Sequence, residues 1–217
     1  MQNIKTGTRP QLILFDLLTA LLDSWAVWDN AAGSSDMGRR WRMSYLKQTY
    51  GCGAYRPYET LVAEAAQSVG LDMQAVHRLQ ESWQNLSPWP EVAAVLHELR
   101  QYYRLGVVTN CSEQLGQVAA ARVGVPFDVV VTSARAGFYK PDPRPYQLAL
   151  DMAQVTANQA IFVAGSAYDL FGTAKVGLTA IWHNRIGLQK PVGAPDPVAE
   201  IPDLGMLPTI IKRLNST

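Results

Sequence analysis

Five short runs, four to six residues long and apolar almost throughout, punctuate the chain: LILF at 12–15, LGVVT at 105–109, FDVVVT at 127–132, AIFVA at 160–164 and LTAIW at 178–182. A strand that faced water on one side would alternate apolar with polar residues. Runs without that alternation read as strands covered on both faces, the environment of a parallel sheet. Helical patterns separate the later runs. Between 91 and 103, Val92, Val95, Leu96, Leu99 and Tyr103 form one stripe. The stretch 112–124 opens on Ser112, a good N-cap, and closes on Gly124. A third helix is signalled by Asp142 as cap with Pro143 at its first position, and a fourth ends at Gly177. Strand and helix in alternation, joined by short connections, predict a doubly wound, Rossmann-like α/β fold built on a parallel sheet.

The region between the first run and Pro88 breaks this rhythm. It contains no convincing strand, only helical segments near 25–32, 36–50, 58–69 and 73–85, interrupted by AGSS, GCGAYRP and Gly70. An insertion of that size directly after strand one is expected to form a separate lobe over the strand's end. SPWP at 87–90 marks the return, since two prolines make a stiff boundary. The expected division is a catalytic core from 1–23 and 88–217, with an α-helical cap at 24–87.

Composition excludes several classes of function. At 217 residues and 48% hydrophobic, the chain can bury one sizeable core plus a small module. Its 19 Lys and Arg against 18 Asp and Glu leave a net charge of +1, so nothing points to nucleic acid or an anionic membrane as partner. Cys52 and Cys111 have neither disulfide nor metal-ligand spacing, and a reducing cytosol is the simplest home. The polar stretch 1–10 does not read as a signal peptide, and no apolar run approaches the roughly 20 residues that span a bilayer. A cytoplasmic protein acting on a small molecule is expected.

Asp16 ends the first run. In open α/β sheets ligands bind outside the carboxyl ends of the strands, and a carboxylate there is costly to desolvate unless it is used. Alone, it could equally cap the following turn. Strand two ends in Thr109-Asn110-Cys111-Ser112, a loop before the helix leading to strand four carries Lys140-Pro141, and strand four runs into Gly165-Ser166-Ala167-Tyr168-Asp169. Two carboxylates, an ammonium, hydroxyls and an amide would then converge on one rim. That set suits nucleophilic catalysis, with Asp16 attacking, Thr109 and Asn110 holding an anionic group, and Lys140 compensating charge.

FDLLTALLDS, VVTNCS, YKPDPRPY and VAGSAYDLFGTAKVGL, in that order, resemble the four motifs of the haloacid dehalogenase-like hydrolases, and the helical insertion resembles their cap. The resemblance implies a covalent aspartyl intermediate, with Asp16 as nucleophile, Thr109 as the strand-two hydroxyl and Lys140 as the motif lysine. Phosphatases of the family carry a second Asp where Leu18 stands, and complete a magnesium site with a Gly-Asp pair where Ala164-Gly165 stand. Leu18 cannot transfer a proton, and a magnesium ion needs oxygen ligands. The 2-haloacid dehalogenase branch, which resembles this chain more closely, uses no metal; no cofactor is expected, and magnesium only if the phosphatase alternative holds. In that branch Tyr146 matches a tyrosine six residues after the lysine, and WRMSYLKQTYG matches a cap stretch whose arginine receives the halide, here Arg42. The resemblance further implies that Tyr146, Asn110 and Ser166 position the substrate carboxylate or the ester, that Leu18 borders the substrate, and that Asp169 and Lys140 activate water. Those dehalogenases usually have an aromatic residue at the place of Leu18, and serine and asparagine at the places of Ala164 and Ser166. Many of them are homodimers.

Plainer explanations stand beside several of these assignments. Arg42 neighbours Arg39 and Arg40, and a solvated helix face explains such a run equally well. Tyr146 can be a packing residue and Asp169 a partner that fixes Lys140. Trp25, Trp28 and Trp41 read as cap core, with Trp25 near enough to the hinge to line a cleft. Cys111 reads as a small buried hydrophobe, and His183 as a hydrogen-bonded structural histidine. Three rival functions stay open: a magnesium-dependent phosphatase, a carbon–phosphorus hydrolase using Lys47, the only lysine of the insertion, and a catalytically silent metabolite- or partner-binding member.

Overall fold

A computed structural model describes residues 10–215; the N-terminal part of the proposed core, 1–9, and with it most of the stretch read for a signal peptide, lies outside the described residues. The elements are β1 (Leu12–Asp16), helices α1 (Ser24–Ala32), α2 (Ser35–Gly51), α3 (Tyr58–Ser68), α4 (Met73–Glu81) and α5 (Val92–Arg100), then β2 (Arg104–Thr109), α6 (Glu113–Arg122), β3 (Val129–Thr132), α7 (Ser133–Ala136), α8 (Pro143–Ala153), β4 (Ala160–Ala164), α9 (Asp169–Val176), β5 (Thr179–His183), β6 (Ala199–Ile201) and α10 (Leu207–Leu214). All six strands are parallel, in the order β3-β2-β1-β4-β5-β6. The chain winds outward from β1 in one direction through β2 and β3, then in the other from β4 to β6. The reversal falls between β1 and β4, which is where a doubly wound sheet opens its crevice.

The uninterrupted apolar runs follow from this placement. In β1, Ile13 and Phe15 belong to one buried cluster and Leu12 and Leu14 to another; in β4, Ile161 and Val163 join the first while Ala160, Phe162 and Ala164 join the second. Successive side chains point to opposite faces, and both faces are covered: α5, α6 and α10 contribute to the first cluster, α8 and α9 to the second. Asp16 is the one charged residue of β1, and it occupies the last position.

Helices α1 to α4 fill the stretch where no strand is expected. The helix expected over 73–85 stops at Glu81 and continues as a 3-10 turn, Ser82–Asn85. The Ser82 hydroxyl donates to the Arg78 carbonyl, a local bond that competes with the helical ladder. Helices α1 and α2 cross at Gly38, where a β-carbon would lie 2.4 Å from Asp29 Oδ1 and 2.7 Å from Asp29 Cα. Glycine permits that approach, and the stripe Gly38, Trp41, Arg42, Tyr45 and Thr49 of α2 is thereby turned inward. Trp28, Trp41, Tyr45, Tyr58 and Trp83 pack edge-on or tilted in a continuous chain, with ring centroids 4.8–5.9 Å apart. Among the described residues no helix is long and apolar enough to cross a membrane.

Candidate active site

Beyond β1 the chain turns back on itself, and the turn clasps Asp16. Oδ2 accepts hydrogen bonds from the backbone N–H of Thr19 at 2.9 Å, the Thr19 hydroxyl at 2.5 Å and the N–H of Ala20 at 3.2 Å. Oδ1 accepts from Lys140 Nζ at 2.7 Å. Lys140 Nζ also lies 3.0 Å from Asp169 Oδ1, to which the Tyr146 hydroxyl donates at 2.6 Å. Asp16, Lys140 and Asp169 are all buried. Burial alone would raise the Asp16 carboxyl, but the Lys140 ammonium and the Thr19 donors hold it below the ordinary aspartate value. Burial raises Asp169, and the like charge of Asp16 adds to it, so its carboxylate is the more basic of the two. Burial by itself would lower Lys140, yet the two carboxylates keep it above its usual value, hence charged.

The lysine is held by its own backbone. Asn110 accepts from Lys140 N–H at 2.7 Å and donates to the Lys140 carbonyl at 2.9 Å, while the Ser133 hydroxyl donates to the Asn110 amide oxygen at 2.9 Å. Asn110 borders the cavity, but its carboxamide is engaged in placing Lys140. Thr109 departs from expectation more sharply. The pleat at the end of β2 turns it away from the cavity toward α6, where a β-carbon on Gly116 would sit 3.5 Å from its Cγ2. Its hydroxyl is buried with no hydrogen-bond partner, and it does not line the cavity. Tyr146 is likewise fully buried behind the wall and acts on Asp169 rather than reaching the cavity.

The cavity over Asp16 measures about 410 Å³. Leu18, Arg42, Asn110, Lys140, Ser166 and Asp169 border it, as do Trp25, Trp28, Leu46 and Tyr50 of the inserted helices. Arg39 and Arg40 are exposed, whereas Arg42, on the inward stripe of α2, is buried. Its guanidinium stacks 4.0 Å above the Trp25 ring and donates to Ser24 Oγ at 2.9 Å. Among the described residues no carboxylate forms an ion pair with it. A buried cation without a paired carboxylate favours an anionic ligand. Lys47 is exposed and outside the cavity, which removes the lysine that a carbon–phosphorus hydrolase would need.

Two contributors escaped the sequence reading. Thr19 supplies two of the donors to Asp16, and only the folded turn reveals it. Tyr50 lines the cavity and stacks on Tyr168 at 4.5 Å. Its signal was present: Arg42, Leu46 and Tyr50 recur every four residues along α2. His183 bonds the Ala20 carbonyl through Nδ1 at 2.9 Å, and Cys111 is buried with its thiol pushed up by burial.

The donor set does not fit a magnesium ion. Leu18 offers no oxygen, and a β-carbon at position 165 would lie 2.1 Å from Thr19 Oγ1 and 2.7 Å from Asp16 Oδ2, so no acidic side chain can stand there. Among the described residues no three His, Cys, Asp or Glu side chains are grouped to hold a metal. The Lys140 ammonium occupies the bridge between the carboxylates instead.

Known proteins resemble this chain in sequence and in fold. A (S)-2-haloacid dehalogenase 4A of Burkholderia cepacia is 27% identical over 191 residues, covering 80% of this chain and 83% of the relative. Haloacetate dehalogenase H-2 of Moraxella sp. (strain B) is 28% identical over 212 residues, covering 89% and 92%. The crystal structure of the L-2-haloacid dehalogenase RSc1362 superposes with a TM-score of 0.85 at 25% identity, covering 94% of this chain and all of that one. Residues 13–183 match the family model described as haloacid dehalogenase-like hydrolase, and with the paired carboxylates and lysine at the switch point of its parallel sheet, this chain belongs to the haloacid dehalogenase-like hydrolases.

Proposed function

We propose that the protein is a metal-independent 2-haloacid dehalogenase in which Asp16 is esterified and then released by water. The observation that carries this reading is the unequal loading of the Asp16 oxygens: three donors on Oδ2, one on Oδ1. Oδ1 keeps the more available lone pair and attacks C2 of the substrate in line with the departing halide. The carbon–halogen electron pair leaves as halide toward Arg42, the buried cation of the inserted helices. An Oδ1–C2 ester remains, with Oδ2 as its carbonyl oxygen.

Water then attacks Asp16 Cγ and gives a proton to Asp169, whose raised basicity suits it to that task. Negative charge develops on Oδ2, which already faces the Thr19 and Ala20 donors; these form a preorganised oxyanion hole. Collapse breaks the Cγ–Oδ1 bond, and Oδ1 leaves with C2 as the product hydroxyl, taking the proton held by Asp169. The water's second proton, left on the new Asp16 carboxyl, passes to solvent and restores the carboxylate. Lys140, 2.7 Å from Oδ1, stabilises that departing oxygen. Ser166, with the cavity's other polar groups, holds the substrate carboxylate, while Asn110 and Tyr146 serve as positioning residues for Lys140 and Asp169. Residues 24–87 act as a cap over a core of 1–23 and 88–217. A phosphatase reading lacks the acid at 18 and the metal ligand at 165.

Halide release from a panel of 2-halocarboxylates, with and without a chelator, tests the proposal. Release that survives chelation and disappears in Asp16→Asn is expected. Phosphate release from aryl phosphates in magnesium, with no halide from any acid, would contradict it.

A further inference from the structure

The cavity is much larger than the smallest 2-haloacids require. At roughly 30 Å³ per water-sized group, chloroacetate would fill only about a third of 410 Å³. The surplus is mostly apolar, with Gln189 and Lys190 as the polar members of its outer side. Leu18 and Leu46 line it, with Trp25 beside them, and a third side is bordered by Leu188 of the segment that follows β5, with Val192 at its rim. Toward the mouth, Val192 is fully exposed and Met43 half-exposed, so apolar surface continues outward from the reacting centre. The charges that would handle a carboxylate and a halide, Arg42 and Lys140, are both buried. A polar substrate that stopped at those charges would leave the remaining apolar wall wet.

Resting on the dehalogenase reading above, we infer that the site takes 2-haloacids whose reacting carbon carries an alkyl chain of several carbons, with the chain lying between the tryptophan side of the inserted helices and the 188–192 segment. Leu188 is held for this by its backbone: its N–H donates to Asn184 Oδ1 at 2.7 Å, and its carbonyl accepts from Asn184 Nδ2 at 2.9 Å. Segment 188–192 is therefore a specificity-determining wall supplied by the core.

Unhalogenated alkanoates separate this inference from the chemistry. Calorimetric binding of propionate, pentanoate and heptanoate to the wild-type protein should tighten about three- to fourfold per added methylene, the value for burying one methylene group, making heptanoate about 80- to 250-fold tighter than propionate. Leu188→Trp, which fills the wall, should reduce the heptanoate-to-propionate ratio at least fivefold. Affinity that is flat or falls with chain length overturns the inference, whatever the variant does. Halide release from 2-bromopropionate alongside flat binding would leave the dehalogenase reading standing without it. Tightening affinity with no halide from any acid would support the chain-binding wall and sink the dehalogenase reading.

Discussion

Gly165 and Thr19 meet so closely that a β-carbon on the glycine would fall 2.1 Å from the threonine hydroxyl. The end of β4 thus presses on the turn that clasps the Asp16 carboxylate, and the two segments share one steric solution. Gly165→Ala should displace Thr19, destabilise the protein by about 1–3 kcal/mol as overpacking does, and cut turnover at least tenfold. Urea unfolding and steady-state halide release measure the two effects. Gly165→Asp should lose activity and gain no magnesium-dependent phosphatase activity.

Thr19 should matter more for ester hydrolysis than for ester formation, because its donors face the oxygen that becomes negative only in the second step. Thr19→Val removes one donor, worth about 0.5–1.5 kcal/mol net, while keeping the backbone N–H. Hydrolysis should slow about three- to tenfold, with esterified Asp16 accumulating in the variant. Rapid quench followed by mass spectrometry of the Asp16 peptide reads that accumulation.

The Tyr146 hydroxyl, 2.6 Å from Asp169 Oδ1, stabilises the ionised carboxylate and so opposes the upward push of burial. Tyr146→Phe removes that donor, and the Asp169 carboxyl should rise further. Since the base must be ionised to accept a proton from water, the acid limb of the kcat–pH profile should move to higher pH. A uniform loss of kcat with an unmoved limb would indicate packing alone.

His183 links stability to pH. Its ring is buried, bonds the Ala20 carbonyl through Nδ1, and leaves Nε2 without a partner. Burial lowers it below 6.5, while Glu91 and Asp203 favour the charged form and Arg185 opposes it. Below about pH 6.5 the unfolded chain therefore binds a proton that the folded protein refuses. The stability is fully present above 6.5 and declines as pH falls toward the folded value, by up to about 1.4 kcal/mol per pH unit. In His183→Phe, urea unfolding between pH 7.5 and pH 5.5 should show a flatter profile than in the wild type.

Much of the sheet was legible because burial on both faces leaves an unmistakable mark: LILF and AIFVA carry no alternation and became β1 and β4. The three-residue β6 was not, since Glu200 is exposed at a sheet edge and too few residues remain to form a pattern. Asp16 announced itself by ending a strand, Asp169 by following one closely, and Lys140 by standing in a loop just ahead of a capped helix. Arg42 was ambiguous within its basic run, and the inward stripe through Gly38, Trp41 and Tyr45 resolves it. Thr109 misled, because a strand end does not reveal which way its last side chain turns. Thr19 and Gly165 depend on two distant segments touching, which no local pattern encodes.

The order of bond making at Asp16 decides the mechanism. A single turnover of excess enzyme on a 2-haloacid in heavy-oxygen water should place the label in the Asp16 carboxylate and leave the product hydroxyl unlabelled, since that hydroxyl is the former Oδ1. Label in the product hydroxyl with Asp16 unlabelled would mean that water attacks C2 directly, and covalent catalysis by Asp16 would have to be abandoned.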